Sequence, residues 1–308
     1  MAASLVPDFL ESEPDAGTSA DRGPGQAAPA RTRTINAWDG LPLHVHEWGL
    51  PRGQGRLPLL CLPGLMRTGA DFARLAAGFA AERPIVALDY AGRGRSGRSR
   101  KVQRYAAEAC VTDVLDLAAA LHMPRVVAVG TSFGGILAMG IGAVRPTLLA
   151  AVVLNDVGPE IGSVGLEAIR RFLAETPDLA DLEAAVRHLK HWLPDLGITS
   201  DDGWRDAARL TYAPDAGGKW RPLWDAKIAR LLDAPVPDLW PFFGALAHLP
   251  VLVVRGGKSQ LLLPETVERM QKEHPGLRVV EVPGVGHAPT LAEPAVHAAL
   301  AHFLDELD

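Results

Sequence analysis

The chain has 308 residues, 48% of them apolar and 22% charged, and a formal net charge of −5. That size fits one large globular unit or two modest domains, and the acidic balance argues against nucleic acid as a partner. No apolar run approaches the ~18 residues of a membrane span, and two cysteines, Cys61 and Cys110, imply no disulfide framework.

Residues 1–30 are rich in Ala, Gly, Pro, Ser and Asp and hold few large apolar side chains. They bury too little to offset the entropy of ordering, so a disordered tail is expected. The opening MAASLVPDFLESEPD has no basic stretch ahead of an apolar segment, unlike a secretory signal. With two free thiols, a reducing, cytoplasmic setting is the expectation.

From residue 31 onward strands and helices alternate. LHVHEW, residues 43–48, alternates as a strand, and residues 57–62 are an apolar run closed by Pro63-Gly64. A helix follows over 72–80, a buried strand over 84–88, a helix over 105–121, a β-branched strand over 126–129, a helix over 133–144 and a strand over 151–154. Continuous apolar strands separated by helices predict a mostly parallel sheet covered on both faces. Residues 158–235 break the rhythm, with helical patterns at 167–174, 182–192 and 202–212 and no convincing strand. The strands resume at 251–254 and 277–282, and a helix closes the chain over 294–307. The expected organisation is therefore a tail (1–30), a first core part (31–157), a helical cap (158–235) and a second core part (236–308). An insertion of roughly 80 residues is too long for a plain connection.

Residues 129–138 read VGTSFGGILA, in which Gly130-Thr131-Ser132-Phe133-Gly134 matches G-x-S-x-G between a strand and an apolar helix. A nucleophile on such a strand-to-helix turn needs small neighbours two positions away. The turn lifts the serine oxygen out of the sheet and turns the Phe133 N–H and the helix N-terminus toward a developing oxyanion.

With this elbow, the segments Leu62-Pro63-Gly64-Leu65, Asp89-Tyr90-Ala91-Gly92-Arg93-Gly94-Arg95-Ser96, Asn155-Asp156-Val157-Gly158-Pro159 and Gly284-Val285-Gly286-His287 resemble the α/β-hydrolase family across nearly everything after residue 31. The resemblance implies an α/β-hydrolase fold with an inserted helical cap, Ser132 as nucleophile, His287 as base, and the Leu65 and Phe133 N–H groups as oxyanion donors. Pro63 stands where the family normally has His, a change that leaves the backbone donor intact.

The acid is the departure. The family usually carries Asp after the strand ending near Val254, where this chain has Gln260, and an amide there can cost ~10⁴-fold in rate. Some members, such as haloalkane dehalogenases, keep the acid after the preceding strand, and the matching residue here is Asp156. The competing reading of Asp156 is a turn or helix-capping residue before Gly158-Pro159. Gln260 is then either a neutral partner of His287 at one remove or no part of the site.

Other signals are weaker. Residues 92–97 spell G-x-G-x-x-G, but no helix opens at the third glycine, so no dinucleotide cofactor is implied. Arg93, Arg95, Arg98, Arg100, Lys101 and Arg104 read as a solvated basic loop or an attractor of acidic substrate, and Arg67 as a surface residue or an anion contact. His44 with His46, and His188 with His191, lack the further ligands of a metal site. Trp192, Trp204, Trp220 and Trp224 read equally as pocket lining or as packing of the insertion.

The expected activity is cofactor-free, metal-free hydrolysis of an ester or lactone of a largely apolar small molecule through an acyl-enzyme. Alternatives on the same residues are C–C bond hydrolysis, acyl transfer, or a non-catalytic ligand receptor favoured by Gln260. Only a small-molecule partner is implied, neither nucleic acid nor membrane, and the oligomeric state is open.

Overall fold

A computed structural model describes residues 30–49, 56–175 and 177–307. The tail expected over 1–30 therefore falls, but for its last residue, outside the described residues. Ten strands are described: β1 (Arg31–Asn36), β2 (Pro42–Trp48), β3 (Leu59–Leu62), β4 (Ile85–Leu88), β5 (Val126–Thr131), β6 (Leu149–Asn155), β7 (Tyr212–Pro214), β8 (Trp220–Pro222), β9 (Val251–Gly256) and β10 (Arg278–Val282). Eight form one sheet in the order β1-β2-β4-β3-β5-β6-β9-β10. The first two strands run antiparallel to their neighbours, while β4, β3, β5, β6, β9 and β10 pair in parallel. β3, β4, β6 and β9 are buried at every position, because helices cover both faces and favour apolar side chains whichever way they point, with Asn155 and Arg255 as the polar exceptions.

Those helices are α1 (Ala73–Phe79) and α9 (Pro294–Asp305) on one face, and α2 (Ala107–Ala120), α3 (Phe133–Val144) and α8 (Pro264–Glu273) on the other. Accordingly there are two apolar cores. Leu75, Phe79, Val296 and Phe303 pack with one set of strand side chains, and Val114, Leu137, Ile141 and Met270 with the other.

Between β6 and β9 the chain leaves the sheet and forms α4 (Ser163–Ala174), α5 (Leu182–Trp192), α6 (Asp201–Arg209), the β7–β8 hairpin, a 3₁₀ segment over Ala226–Asp233 and α7 (Trp240–Gly244). Two of these helices start on side-chain caps: Asp181 accepts the Ala184 N–H at 2.7 Å and Ser200 the Gly203 N–H at 3.1 Å. The hairpin is a strand pair where none was expected. Its residues are few and include Pro214 and Pro222, so no apolar alternation announces it. It ties the segment to the loop after β4: the Gly94 N–H donates to the Leu223 carbonyl and the Asp225 N–H to the Gly92 carbonyl, both at 2.7 Å. The Tyr105 hydroxyl also donates to Asp225 at 2.8 Å.

Candidate active site

β5 ends at Thr131 and α3 begins at Phe133, so Ser132 carries the whole turn, with φ 52° and ψ −118°. An L-residue is strained there, at a cost of about 1–3 kcal/mol. The close crossing explains the flanking glycines. A Cβ on Gly130 would stand 2.5 Å from the Gly134 backbone, and one on Gly134 would strike the Leu62 carbonyl. The Ser132 N–H is held by the Asn155 carbonyl of β6 at 2.9 Å.

The Ser132 Oγ lies 2.9 Å from His287 Nε2, in the loop between β10 and α9, and His287 Nδ1 lies 2.7 Å from Asp156 Oδ2. With Nδ1–H donating to the carboxylate, Nε2 is left to accept from the serine hydroxyl. Asp156 follows β6 directly, is fully buried and has φ 54°. Its second oxygen accepts the Gly256 N–H of β9 at 2.8 Å, and its own N–H donates to Val254 at 2.7 Å. A buried carboxylate satisfied on both oxygens stays where the imidazole needs it.

Leu65 and Phe133 line the same cavity as Ser132 and His287. Among the described residues neither backbone N–H is engaged by a backbone carbonyl, so both are free to receive an oxyanion. The Gly64 position lies 3.8 Å from the Ser132 Cβ, measured from a Cβ built on that glycine. The cavity measures about 1000 Å³ and is walled by aliphatic and aromatic side chains such as Met66, Ile136, Val157, Ile161, Leu166 and Leu196, several of them from the inserted segment.

Several sequence-predicted residues are placed elsewhere. The Gln260 side chain is exposed, and only its main-chain carbonyl is engaged, by the Gly165 N–H at 3.1 Å. It does not meet His287, whose Nδ1 is already bonded to Asp156. Trp192, Trp204, Trp220 and Trp224 do not line the cavity. Trp192 and Trp224 pack around Phe172 at ring distances of 6.1 and 5.7 Å. Trp204 is buried beneath Lys190, and Trp220 pairs with Leu179. Rings this large serve the inserted segment better as its own core than as a wall.

The basic run divides. Arg95, Arg98, Arg100 and Lys101 are exposed. Arg104 is buried against Asp113 and Asp39 at 2.7 and 2.8 Å. Arg93 is fully buried and, among the described residues, bonds no carboxylate. Its Nε donates to the Leu65 carbonyl at 2.7 Å and its Nη1 to Ala91 at 2.9 Å, while its guanidinium lies 5.5 Å from the Tyr90 and Phe133 ring centres. Burial pushes its pKa down. Arg67 lines the cavity but is neutralised by Asp71 at 2.6 Å and also bonds Thr211. His44, His46 and Asp89 cluster closely enough to share an ion. However, the Asp89 carboxylate already accepts the Gly69 and Arg95 N–H groups at 2.8 and 3.1 Å, which is the bonding of a structural carboxylate.

Two contributors carried no functional signal in the sequence. Arg93 steadies the Leu65 peptide and Phe133 ring, yet Gly-Arg-Gly reads as an exposed loop. Asn155 donates both to Thr131 Oγ1 at 3.0 Å and to the Pro289 carbonyl at 2.9 Å, clamping the histidine loop to the elbow. A polar residue ending an apolar strand was the only hint.

Comparison with known proteins identifies the family. Residues 59–300 match the model of the alpha/beta hydrolase family. The 3-hydroxybutyrate-oligomer hydrolase of Cupriavidus necator is 34% identical over 84% of this chain and 91% of its own. The 2-(acetamidomethylene)succinate hydrolase of Mesorhizobium japonicum is 28% identical over 86% of this chain and 92% of its own. The crystal structure of an alpha/beta hydrolase from Novosphingobium aromaticivorans superposes with a TM-score of 0.84 at 36% identity, covering 90% of this chain and 99% of that one. A fold, a site geometry and a family match that coincide over the same residues place this chain in the alpha/beta hydrolase family.

Proposed function

We propose that the protein is a serine hydrolase that cleaves a carboxylic ester or lactone of a largely apolar small molecule through an acyl-enzyme. The observation that carries this is the unbroken chain from Ser132 Oγ through the His287 ring to Asp156. In this reading Ser132 Oγ attacks the acyl carbon and its proton passes to His287 Nε2. The carbonyl oxygen becomes an oxyanion held by the Leu65 and Phe133 N–H groups. Collapse expels the alcohol, which takes the proton from Nε2. A water then attacks the acyl-enzyme, with His287 again taking and returning a proton. Asp156 accepts the His287 Nδ1–H, fixes the tautomer and stabilises the imidazolium. Segment 158–235 acts as the cap that encloses the acyl chain.

The aliphatic cavity supports an aliphatic ester. So does the Cupriavidus necator relative, whose name describes an oligomer of a short hydroxy acid. The receptor alternative drew its support from Gln260, and with Asp156 on His287 that support is gone. The buried free Cys61 and Cys110 fit a reducing, cytoplasmic location. Among the described residues no helix is long and apolar enough to cross a membrane.

The test is active-site chemistry. A fluorophosphonate should label Ser132, and p-nitrophenyl butyrate should give a burst followed by steady turnover, both lost in Ser132→Ala. Absence of label on the folded protein would sink the proposal.

A further inference from the structure

The deep wall of the cavity is aliphatic, whereas its exposed lining residues, which stand where it meets solvent, mix uncharged ones, Gln103 and the stretch 234–237, with charged ones. The charged ones include Arg74 on α1, Arg170 on α4, Arg209 on α6 and Arg230 in the 3₁₀ segment, against Glu108 on α2 and Asp206 on α6. Arg209 is neutralised by Asp206 at 3.2 Å. Arg170 donates to the Leu232 carbonyl at 3.0 Å, which positions its guanidinium without cancelling its charge. Arg74 and Arg230 make no hydrogen bond or ion pair among the described residues. Three uncancelled guanidinium groups thus face one carboxylate, Glu108, at the mouth of an apolar cavity, in a chain whose net charge is −5. Against that acidic background, a local positive excess focuses attraction of anions on the entrance. Guanidinium groups with unused donors are the side chains best shaped to take a carboxylate.

We propose that the substrate is an acidic ester, with an apolar body in the cavity and a carboxylate at its far end held at the rim by Arg74 and Arg230, with Arg170 adding to the field. The assignment rests on the serine-hydrolase reading for the reaction, though not for the binding. An ester of this kind enters charged end outward. Its scissile carbonyl reaches Ser132 while its carboxylate remains in contact with water and arginine, so no charge is buried. A neutral ester of the same length gains the apolar contacts alone.

Two probe series test this, each comparing a free acid with its methyl ester. Mono-p-nitrophenyl esters of four- to ten-carbon dicarboxylic acids place the carboxylate on the acyl side, and butyryl esters of ω-hydroxy acids place it on the alcohol side. The expected result is a preference of about tenfold in kcat/KM for the free acid in one series at low salt, peaking at one chain length and collapsing in 0.5 M NaCl. In Arg74→Gln/Arg230→Gln the acid-to-ester ratio should fall about tenfold. Equal turnover of acid and ester at every length in both series would overturn the rim assignment while leaving the hydrolase reading intact. If no ester is turned over and Ser132 takes no label, the hydrolase reading falls instead. Calorimetry on Ser132→Ala then decides the rim: octanedioate should bind about tenfold more tightly than its monomethyl ester, and equal binding would overturn the proposal.

Discussion

The Asp156 carboxylate stands 2.7 Å from His287 Nδ1 even though 131 residues separate the two in the chain. β6 and β9 pair directly, Asn155 beside Val254, so their ends are adjacent, and the carboxylate that follows β6 meets the imidazole. Replacing that charge with an isosteric amide tests it most cleanly. Asp156→Asn should lower kcat by about 10⁴-fold, equivalent to about 5.5 kcal/mol, with the protein still folded. Steady-state kinetics with p-nitrophenyl butyrate, alongside a thermal melt, check this, and full activity would refute the role.

Gln260 makes the opposite prediction. Its side chain is exposed and away from His287, so Gln260→Asp should change kcat/KM by less than about twofold and should not rescue Asp156→Asn. A strong gain in turnover would mean that the site draws on residue 260 after all.

Arg93 is argued to act through the Leu65 peptide. Arg93→Met should lower kcat by about 10²-fold, the scale of a small misplacement of a reacting group, with KM little changed. Affinity for a trifluoromethyl ketone, which forms the tetrahedral adduct, should weaken in parallel, and Arg93→Lys should recover part of it. A melting temperature that falls without loss of kcat would mark a merely structural residue.

The elbow also sets a packing limit. Gly134→Ala drives a methyl group into the Leu62 carbonyl, backbone against backbone, and should cost about 3 kcal/mol or more. Urea denaturation measures it, and a loss below about 1 kcal/mol would mean that the crossing can relax.

Stability should fall on mild acidification. His188 is pushed below the ordinary imidazole value of 6.5 by burial, with Glu175 opposing and the charge of His191 reinforcing. Its Nδ1 is bonded to the Tyr212 hydroxyl at 2.8 Å and its Nε2 is buried without a partner among the described residues. His44 is shifted the same way, by burial first, with Asp89 opposing. The unfolded chain therefore binds more protons than the folded one below pH 6.5. The stability these residues allow is present above that value and is lost as pH falls through it toward the folded values. Melts from pH 8 to 5 should show a falling midpoint, with a shallower slope in His188→Gln.

Sequence patterns carried the parallel strands, the elbow and His287, because each follows from a local rule: apolar runs buried on both faces, glycines flanking a tight turn, a histidine after a strand end. They did not reveal β1, whose residues RTRTIN are exposed or half-exposed and lack apolar alternation. Helix α8, PETVERMQKE, went unread because only Thr266, Val267 and Met270 are buried. Asp156 was legible as the preferred acid, with a turn or capping role still open, since the decision depends on how two strand ends lie side by side. Arg93 was misread, and the tryptophans were left open between two readings, for one reason. Burial of a large or charged side chain is set by what the rest of the chain lays over it, and no short window contains that.

The Gly256 N–H that holds Asp156 belongs to β9, the strand after which the family resemblance leads one to expect the acid. Here that strand anchors a carboxylate supplied by its neighbour, β6. The imidazole responds to a position in space rather than to a position in the chain. Surveys that sort such chains into active and inactive by the residue aligned with 260 would discard proteins that have only moved the charge next door.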